Sequence, residues 1–261
     1  MPIITLTTDF GLDDWFVGAM KGVILGLAPR TSIVDLTHGI PSGDIRAGAF
    51  ALAAACRYFR RGSIHVVVVD PGVGGNRAGI VVQTADYFFV APDNGVLSLA
   101  LSREQIKGVR RLENEGYFLR PVSHTFHGRD VFAPVAAHLS RGVPVSRLGP
   151  AQSDFIRLVW LSPKCERNVI KGEIVYLDRF GNAITNIPTE QLGRPETLKV
   201  SVRGQPTCPV RSCFEKAAPG QLAGIPGSSG FLELALKNGS AEERFGLKVG
   251  DSVTVRCPPL D

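Results

Sequence analysis

Two aspartates stand directly after apolar runs that are typical of buried strands. Asp70 ends the run VVVVD and is followed by Pro71 and several glycines, and Asp9 ends the run IITLTTD. In an open parallel sheet, ligands bind at the carboxyl ends of the strands, where loops leave a rigid scaffold. If the two strands are neighbours, both carboxylates face one cavity. The local sequence is equally compatible with an Asp70 that only caps a turn before Pro71.

A second polar cluster is HTFHGRD, residues 124 to 130, which precedes a predicted helix. His127 lies beside Gly128, where backbone can approach closely, and Arg129 and Asp130 can cap the helix or pair at its start. His124 and His127 form one H-x-x-H without a recognisable third ligand, which is weak evidence for a metal. No metal site is therefore predicted.

In the second half of the chain, LDRFGNAITNIP combines Asp178, Phe180 and Asn182 around a glycine. A hairpin turn explains the Gly-Asn pair. An aromatic face beside an amide also suits an adenine ring, by stacking and hydrogen bonding. A later segment, PGSSGFLELALKNGSA, offers a polar pocket rim made of Ser228, Ser229, Asn238 and Gly239.

The elements that must position these residues change in type along the chain. Strands at 3–8, 32–36 and 65–69 alternate with helices at 14–27 and 44–58, which predicts a parallel sheet covered on both faces. Further strands are predicted at 80–84, 87–91 and 108–112, and further helices after Gly95 and at 130–139.

Beyond about residue 160 the chain contains short strand-like runs that are separated by clusters of Pro, Gly and Asn. The runs are GEIVYLD, NAITNI, LKVSV, GFLELAL and DSVTVR. They predict an antiparallel sheet. We therefore expect an α/β N-terminal domain over 1–160, with a mostly parallel central sheet flanked by helices. A smaller, barrel-like antiparallel β domain follows over 161–261.

Composition limits the function classes. The 261 residues are 44% hydrophobic with a formal net charge of +5, and the basic residues form no stripe, so no nucleic-acid partner is predicted. The five cysteines (Cys56, Cys165, Cys208, Cys213 and Cys257) include no C-x-x-C pair and predict reduced thiols. The sequence shows neither a secretory leader nor a membrane span, which predicts a cytoplasmic protein without a membrane partner.

The order of five motifs resembles that of the S-adenosyl-L-methionine hydroxide adenosyltransferases, the hydrolase relatives of fluorinases and chlorinases. The motifs are TTDFG, VDPGVG with Arg77, HTFHGRD, DRFGNAITNI and SSGFLELALKNGSA. The resemblance spans nearly the entire chain. It implies hydrolysis of S-adenosyl-L-methionine (SAM) to adenosine and L-methionine by water attack on the 5′ carbon, with no cofactor. It also implies a homotrimer, in which each site lies between the N-terminal domain of one subunit and the C-terminal domain of its neighbour.

The resemblance also implies residue roles. The family's Asp, Arg and His set falls on Asp70, Arg77 and His127. Asp9 would bind the ribose diol, and the remaining binding residues would divide between the amino-acid end (Asp14, Asp178 and Ser229), adenine (Phe180 and Asn182) and the pocket rim (Asn238). Halogenating relatives carry Tyr in place of Asp70 and a halide-site Thr in place of Val73, so the resemblance favours a member that uses water. The aromatic platform that halogenases have in the loop after the second strand is absent near Gly43, so no adenine stacking is expected on that side.

Three alternatives remain at this point. The first is a metal-dependent phosphoester hydrolase built on Asp9, Asp13, Asp14, His124 and His127, and it predicts that a chelator abolishes activity. The second is a protein that binds SAM or a nucleoside without turnover. Halide-dependent chemistry is a third, minor possibility.

Overall fold

A computed structural model describes residues 1–160, 162–194, 197–205 and 207–256. The chain divides into two compact units, Met1–Val159 and a second unit that begins at Trp160. Each unit has its own hydrophobic core.

The first unit is built on a six-stranded sheet, as the alternating strand and helix pattern predicts. Its strands are β1 (Ile3–Thr8), β2 (Ser32–Thr37), β3 (Ile64–Val68), β4 (Gly79–Thr84), β5 (Phe88–Pro92) and β6 (Ile106–Arg111). The order is β2-β1-β3-β5-β4-β6, and β1, β2, β3 and β5 run parallel. Strand β4 is antiparallel to β5 and β6. Only residues 85–87 join β4 to β5, which is too short for the crossover that a parallel pair needs.

Helices cover both faces of this sheet. They are α1 (Phe16–Leu27), α2 (Ile45–Ala55), α3 (Ser98–Leu101) and α4 (Ala133–Ser140). Successive side chains of a strand point to opposite faces. Leu6 and Val66 pack in one cluster with Met20 of α1 and Ala136 of α4. On the other face α2 lies close to the sheet, since a Cβ at Gly48 would be 2.9 Å from Val69 Cγ2.

The predicted helix bounds need two corrections. Helix α2 is capped by Asp44, whose Oδ1 accepts from the Ala47 amide at 2.9 Å, but it ends at Ala55 and continues as a 3₁₀ turn over Cys56–Tyr58. The helix predicted from Asp130 begins earlier, as a π-helical turn over Gly128–Phe132 that leads into α4. Pro134 has no amide to donate, which favours irregular hydrogen bonding at this junction.

The second unit is an antiparallel sheet that closes almost into a barrel. Its strands are β7 (Lys164–Glu166), β8 (Val169–Leu177), β9 (Ala183–Pro188), β10 (Lys199–Val202), β11 (Cys208–Pro209), β12 (Leu222–Pro226), β13 (Phe231–Leu236) and β14 (Ser252–Arg256). The order is β11-β10-β14-β8-β9-β13-β12, and β7 pairs with β8. A bridge between Val210 and Gly224 links the two ends of this order. The predicted antiparallel β domain is confirmed.

Sequence patterns missed four short elements of this unit: β7, β11, β12 and helix α5 (Ala241–Phe245). Strand β12 has the sequence LAGIP, whose Gly and Pro are typical of a loop. Gly224 is nevertheless suited to the strand, because a Cβ there would lie within 3.3 Å of side chains from Val210, Leu232 and Val200.

The described cysteines are free thiols: Cys56, Cys165, Cys208 and Cys213. Burial raises the pKa of Cys56 and of Cys208 to about 11, which keeps both protonated. Cys257 lies outside the described residues. Within the described ranges, no helix has the length and apolar character needed to cross a membrane.

The buried His65 on β3 makes stability depend on pH. Its side chain is fully buried against Phe59, Tyr87 and Phe89, its Nδ1 lies 2.7 Å from Thr5 Oγ1, and burial lowers its pKa from 6.5 to about 4. Between these values the unfolded chain binds the proton more strongly. Acidification through this window therefore lowers the free energy of unfolding, by on the order of 3 kcal/mol from this residue.

We expect His65→Gln, which keeps a polar partner for Thr5 but does not titrate, to lose less stability in acid than the wild type. Urea unfolding at about pH 7 and about pH 4.5 measures the difference. Equal losses in the two proteins would show that His65 is not the titrating group.

Candidate active site

Three loops meet at the carboxyl ends of the adjacent strands β1, β2 and β3. The Gly43 amide, in the loop after β2, donates to Asp9 Oδ2, in the loop after β1, at 2.8 Å. A Cβ at Gly43 would lie 3.5 Å from Pro71 Cβ, in the loop after β3. The first unit therefore gathers Asp9 and the loop that carries Asp70 at one edge of the sheet.

Asp70 and Arg77 form a two-pronged ion pair inside this region. Arg77 Nε donates to Asp70 Oδ1 at 2.9 Å, and Arg77 Nη2 donates to Asp70 Oδ2. Only 5% of the Asp70 side chain and 12% of the Arg77 side chain are exposed. The planar guanidinium matches both carboxylate oxygens at once, which fixes the direction of each side chain.

His127 joins this pair through its Nδ1, which lies 2.7 Å from Arg77 Nη2. A guanidinium can only donate, so Nδ1 must accept and carry no proton. The ring is then the neutral tautomer with its proton on Nε2. Burial and the charge of Arg77 both lower the pKa of His127 below 6.5, which agrees with a neutral ring.

Glycine permits the close contact between the loops that carry these residues. Gly74 has φ +78°, and a Cβ there would lie 2.2 Å from the His124 carbonyl oxygen. Any larger residue would push residues 70–77 away from residues 123–127. On its other side, the Arg77 guanidinium lies 5.7 Å from the centre of the Phe132 ring.

Arg129 and Asp130 pair with each other, which is one of the two roles that the sequence allowed; the other was to cap the helix. Arg129 Nε and Nη2 donate to the Asp130 carboxylate at 2.6 and 3.0 Å, and the Ser123 amide donates to Asp130 Oδ2 at 2.8 Å. Asp130 is completely buried. This pair holds the backbone that presents His127.

His38 is a supporting residue that sequence reasoning missed. Its Nδ1 lies 2.8 Å from Thr8 Oγ1, its Nε2 lies 3.0 Å from Asp35 Oδ1, and its carbonyl oxygen accepts from the Gly11 amide at 2.8 Å. Thr8 and Gly11 flank Asp9, so His38 fixes the loop that carries this carboxylate. The only sequence signal was a histidine next to glycine after a strand.

The remaining acidic candidates of the first unit lie on the surface. Asp13 and Asp14 are exposed, between Leu12 and Trp15, whose side chains are 72% and 70% exposed. His124 is exposed as well. Among the residues that the structure describes, no three or more His, Cys, Asp or Glu side chains group closely enough to hold a metal ion.

In the second unit, Asp178 holds the turn between β8 and β9. Its Oδ1 accepts from the amides of Phe180 and Asn182 at 2.8 and 2.9 Å, and its Oδ2 accepts from Asn182 Nδ2 at 2.9 Å. Gly181 has φ +76°, and a Cβ there would lie 2.0 Å from Ser240 Oγ. The turn leaves the Phe180 side chain 77% exposed, while Asn182 is buried.

This turn forms one wall of a pocket of about 630 Å³. The residues predicted from the sequence that line it are Asp178, Phe180, Asn182, Ser228, Asn238 and Gly239. Ser229 Oγ is buried and has no hydrogen-bond partner within the described part of the chain. Glu233 also lines the pocket and was missed, although it is the one charged residue in the strand FLELAL.

Comparisons with known proteins agree with this arrangement in two units. The family model described as "SAM hydroxide adenosyltransferase N-terminal domain" matches residues 4–149, and the model for the C-terminal domain matches residues 172–254. A protein of Salinispora tropica named (R)-S-adenosyl-L-methionine hydrolase is 38% identical over 97% of both chains. A fluorinase of an Actinoplanes species is 27% identical over 97% of both chains.

The chain is also similar to a solved structure, the crystal structure of an uncharacterized conserved protein from Thermotoga maritima. The TM-score is 0.91 at 36% identity, and the match covers 98% of this chain and 100% of the other.

The contact between Arg77 and His127 predicts a measurable tautomer. Nitrogen NMR near neutral pH should show His127 protonated at Nε2 alone, with a pKa below 6.5. In Arg77→Gln the pKa should rise, since the neighbouring cation is lost and the Asp70 carboxylate is left uncompensated. His127→Asn assigns the signal, and a ring protonated at Nδ1 would contradict the arrangement.

Proposed function

The chain belongs to the SAM hydroxide adenosyltransferase family, and we propose that it hydrolyses SAM to adenosine and L-methionine with Asp70, Arg77 and His127 as its catalytic residues. The observation that carries this proposal is the hydrogen-bonded chain of Asp70, Arg77 and His127 near the carboxyl ends of the parallel strands, in which the Asp70 and Arg77 side chains are nearly buried. A bond forms between water oxygen and the 5′ carbon, and the bond from that carbon to sulfur breaks. The electron pair of the carbon–sulfur bond stays on sulfur, and the water gives up one proton.

The leaving group needs no general acid, because the sulfonium departs as a neutral thioether. The catalytic task is therefore to activate and aim the water. An acceptor for its proton and a donor that orients its oxygen are enough.

The hydrogen bonds divide these tasks between Asp70 and His127. His127 Nδ1 already accepts from Arg77 and its Nε2 carries a proton, so the neutral ring orients the water as a donor. Asp70 uses one lone pair of each oxygen for Arg77 and has others free. Asp70 is therefore the proton acceptor, and Arg77 holds it in place.

The site also favours the charge change of the reaction. A sulfonium cation and a developing hydroxide neutralise each other in the transition state, and this attraction is stronger where bulk water is excluded. The low exposure of Asp70 and Arg77 supports such a site.

The binding residues follow from the groups that the structure leaves available. Asp9 has one oxygen bound by Gly43, and the other can accept from the ribose diol. Asn182 commits its amide nitrogen to Asp178, so its carbonyl oxygen is the acceptor for the adenine amino group, and the exposed Phe180 ring is the stacking face. Asp14, Asp178 and Ser229 bind the amino-acid end, and Asn238 lies at the rim. The reaction needs no metal or other cofactor.

We further propose that the protein is a homotrimer whose sites combine the first unit of one subunit with the second unit of its neighbour. Large apolar side chains are exposed near the predicted binding residues of both units: Leu12 and Trp15 beside Asp14, and Phe180 beside Asn182. Exposed apolar groups of this size are typical of surfaces that a partner covers.

The first test is turnover of SAM by variants of the Asp70 pair. We expect Asp70→Asn to lower kcat by about 10² to 10⁴, because the water loses its proton acceptor, with little change in KM. The matched control is Asp86→Asn, since Asp86 forms a surface ion pair with Arg61 at 2.9 Å. Chromatography of adenosine and methionine measures both rates.

Four outcomes would contradict this mechanism. Loss of activity with a chelator would favour the metal-dependent phosphoester hydrolase, and binding of SAM without turnover would favour a binding protein. In ¹⁸O water the label must enter the 5′ hydroxyl of adenosine, and label found elsewhere would mean that carbon 5′ is not the electrophile. A 5′-halo-adenosine formed with excess halide would indicate halide chemistry.

The trimer proposal predicts complementation between two inactive variants. Asp70→Asn disables the first unit and Phe180→Asp disables the second, so random mixed trimers should recover about one quarter of the sites. Co-expression followed by rate measurement tests this, with the pair Asp70→Asn and Arg77→Met as the control that recovers nothing. If each chain builds its own site, neither mixture gains activity.

A further inference from the structure

Glu233 is a buried carboxyl group in the middle of β13. Its residue is 7% exposed, and its cross-strand neighbours are Ile184 on β9 and Ile225 on β12. Neither neighbour offers a hydrogen bond or a charge. A strand of otherwise apolar residues therefore places one acid beside the pocket of the second unit.

The backbone is shaped around this carboxyl group. A Cβ at Gly227 would lie 2.0 Å from Glu233 Oε1 and 2.3 Å from its Cδ, so a larger residue there would displace the Glu233 side chain from its present position. No residue in the described ranges donates a hydrogen bond to the carboxylate. An unpaired buried carboxylate is costly, which indicates that a ligand supplies its partner.

The charges that face Glu233 from the surrounding elements leave the pocket acidic. Asp178 at the end of β8, Glu215 and Lys237 are the other charged side chains that line it. Lys237 Nζ is held by Glu215, at 3.0 Å from its carbonyl oxygen and 3.1 Å from its Oε1. Three acids and one engaged base thus form a cation-attracting pocket in a chain whose net charge is +5.

We propose that Glu233 binds the primary ammonium group of the amino-acid part of the substrate, an assignment that rests on the proposed function. Of the polar groups of SAM, only the ammonium offers both positive charge and N–H donors. The sulfonium has no hydrogen to donate, and the adenine amino group is neutral. Asp178, which also lines the pocket, adds negative charge near Glu233 that favours a cation.

This assignment makes substrate binding depend on pH. Burial, with a contribution from Asp178, raises the pKa of Glu233 from 4.5 to about 6. Below about pH 6 the carboxyl is protonated and loses its attraction for an ammonium. Affinity for SAM should therefore fall as the pH drops through this value.

The test compares SAM with its deaminated analogue, in which hydrogen replaces the α-amino group. We expect Glu233→Gln to raise the KM for SAM about tenfold or more, with kcat nearly unchanged, because one charge-assisted hydrogen bond is lost. The KM for the analogue should stay as in the wild type. The matched control is Glu166→Gln, whose carboxylate pairs with Lys171 on the surface of the same unit.

An equal KM increase for both compounds, or no increase, would overturn the assignment while leaving hydrolysis intact. The wild type gives a test that needs no variant. Its preference for SAM over the analogue should be large above pH 7 and largely lost near pH 5, and a preference that does not change with pH would also overturn it.

Absence of turnover by the wild type would refute the proposed function instead. Calorimetric binding of the same two compounds then tests the role of Glu233 by itself. In the absence of ligand, Glu233→Gln should also melt at a higher temperature than the wild type near neutral pH, since a buried unpaired charge is removed. A lower melting temperature would mean that the Glu233 carboxylate stabilises the fold and has no ligand-binding role.

Discussion

The two-pronged ion pair of Asp70 and Arg77 is the constraint on which the first unit depends. Two charges that are almost fully removed from water are tolerated only when each satisfies the other with good geometry. The tight loop over 71–76 brings the guanidinium back onto the carboxylate, and Gly74 lets that loop touch the segment before His127. The tautomer of His127 then follows from Arg77, because a guanidinium forces its neighbour to accept. One pair therefore fixes the roles of three residues.

The two units treat their buried carboxyl groups in opposite ways. Asp70 has a cation supplied by the chain itself, and the two hydrogen bonds from Arg77 fix its carboxylate. Glu233 lies against the backbone of Gly227 with no donor among the described residues, and its raised pKa is the physical sign of that deficit. The first arrangement suits the proposed activation of water, and the second suits the proposed binding of a cationic group. Both differ from Asp178, which is engaged in holding its own turn.

The sequence predicts the architecture more completely than it predicts the side-chain contacts. Alternating apolar runs and helical segments indicate the parallel sheet, and strand-end aspartates indicate where the site lies. The order of motifs adds Arg77 and His127. No pattern shows that Arg77 folds back onto Asp70, since the six loop residues between them admit many conformations. The sequence does not predict Glu233 as a site residue, because the alternation of side chains along β13 places it on a face whose other residues are apolar. Strand β12 was missed because LAGIP has loop composition, and its place in the sheet depends on packing around Gly224.

A fall in pH is expected to impair the sites of both units, through two different protonation events. Protonation of His127 puts a hydrogen on Nδ1, where it faces the Arg77 guanidinium at 2.7 Å, so the hydrogen bond becomes a repulsion between cations. Under the proposed mechanism this repulsion displaces the ring, so that its Nε2 hydrogen no longer orients the water. Protonation of Glu233 removes the charge that attracts an ammonium. Under the two proposals the first change would lower kcat and the second would raise KM, so kcat/KM should fall with acid more steeply than kcat alone. The proposed reaction requires a neutral His127 and an ionised Glu233; burial and Arg77 favour the first by lowering the His127 pKa, and the second is lost below about pH 6.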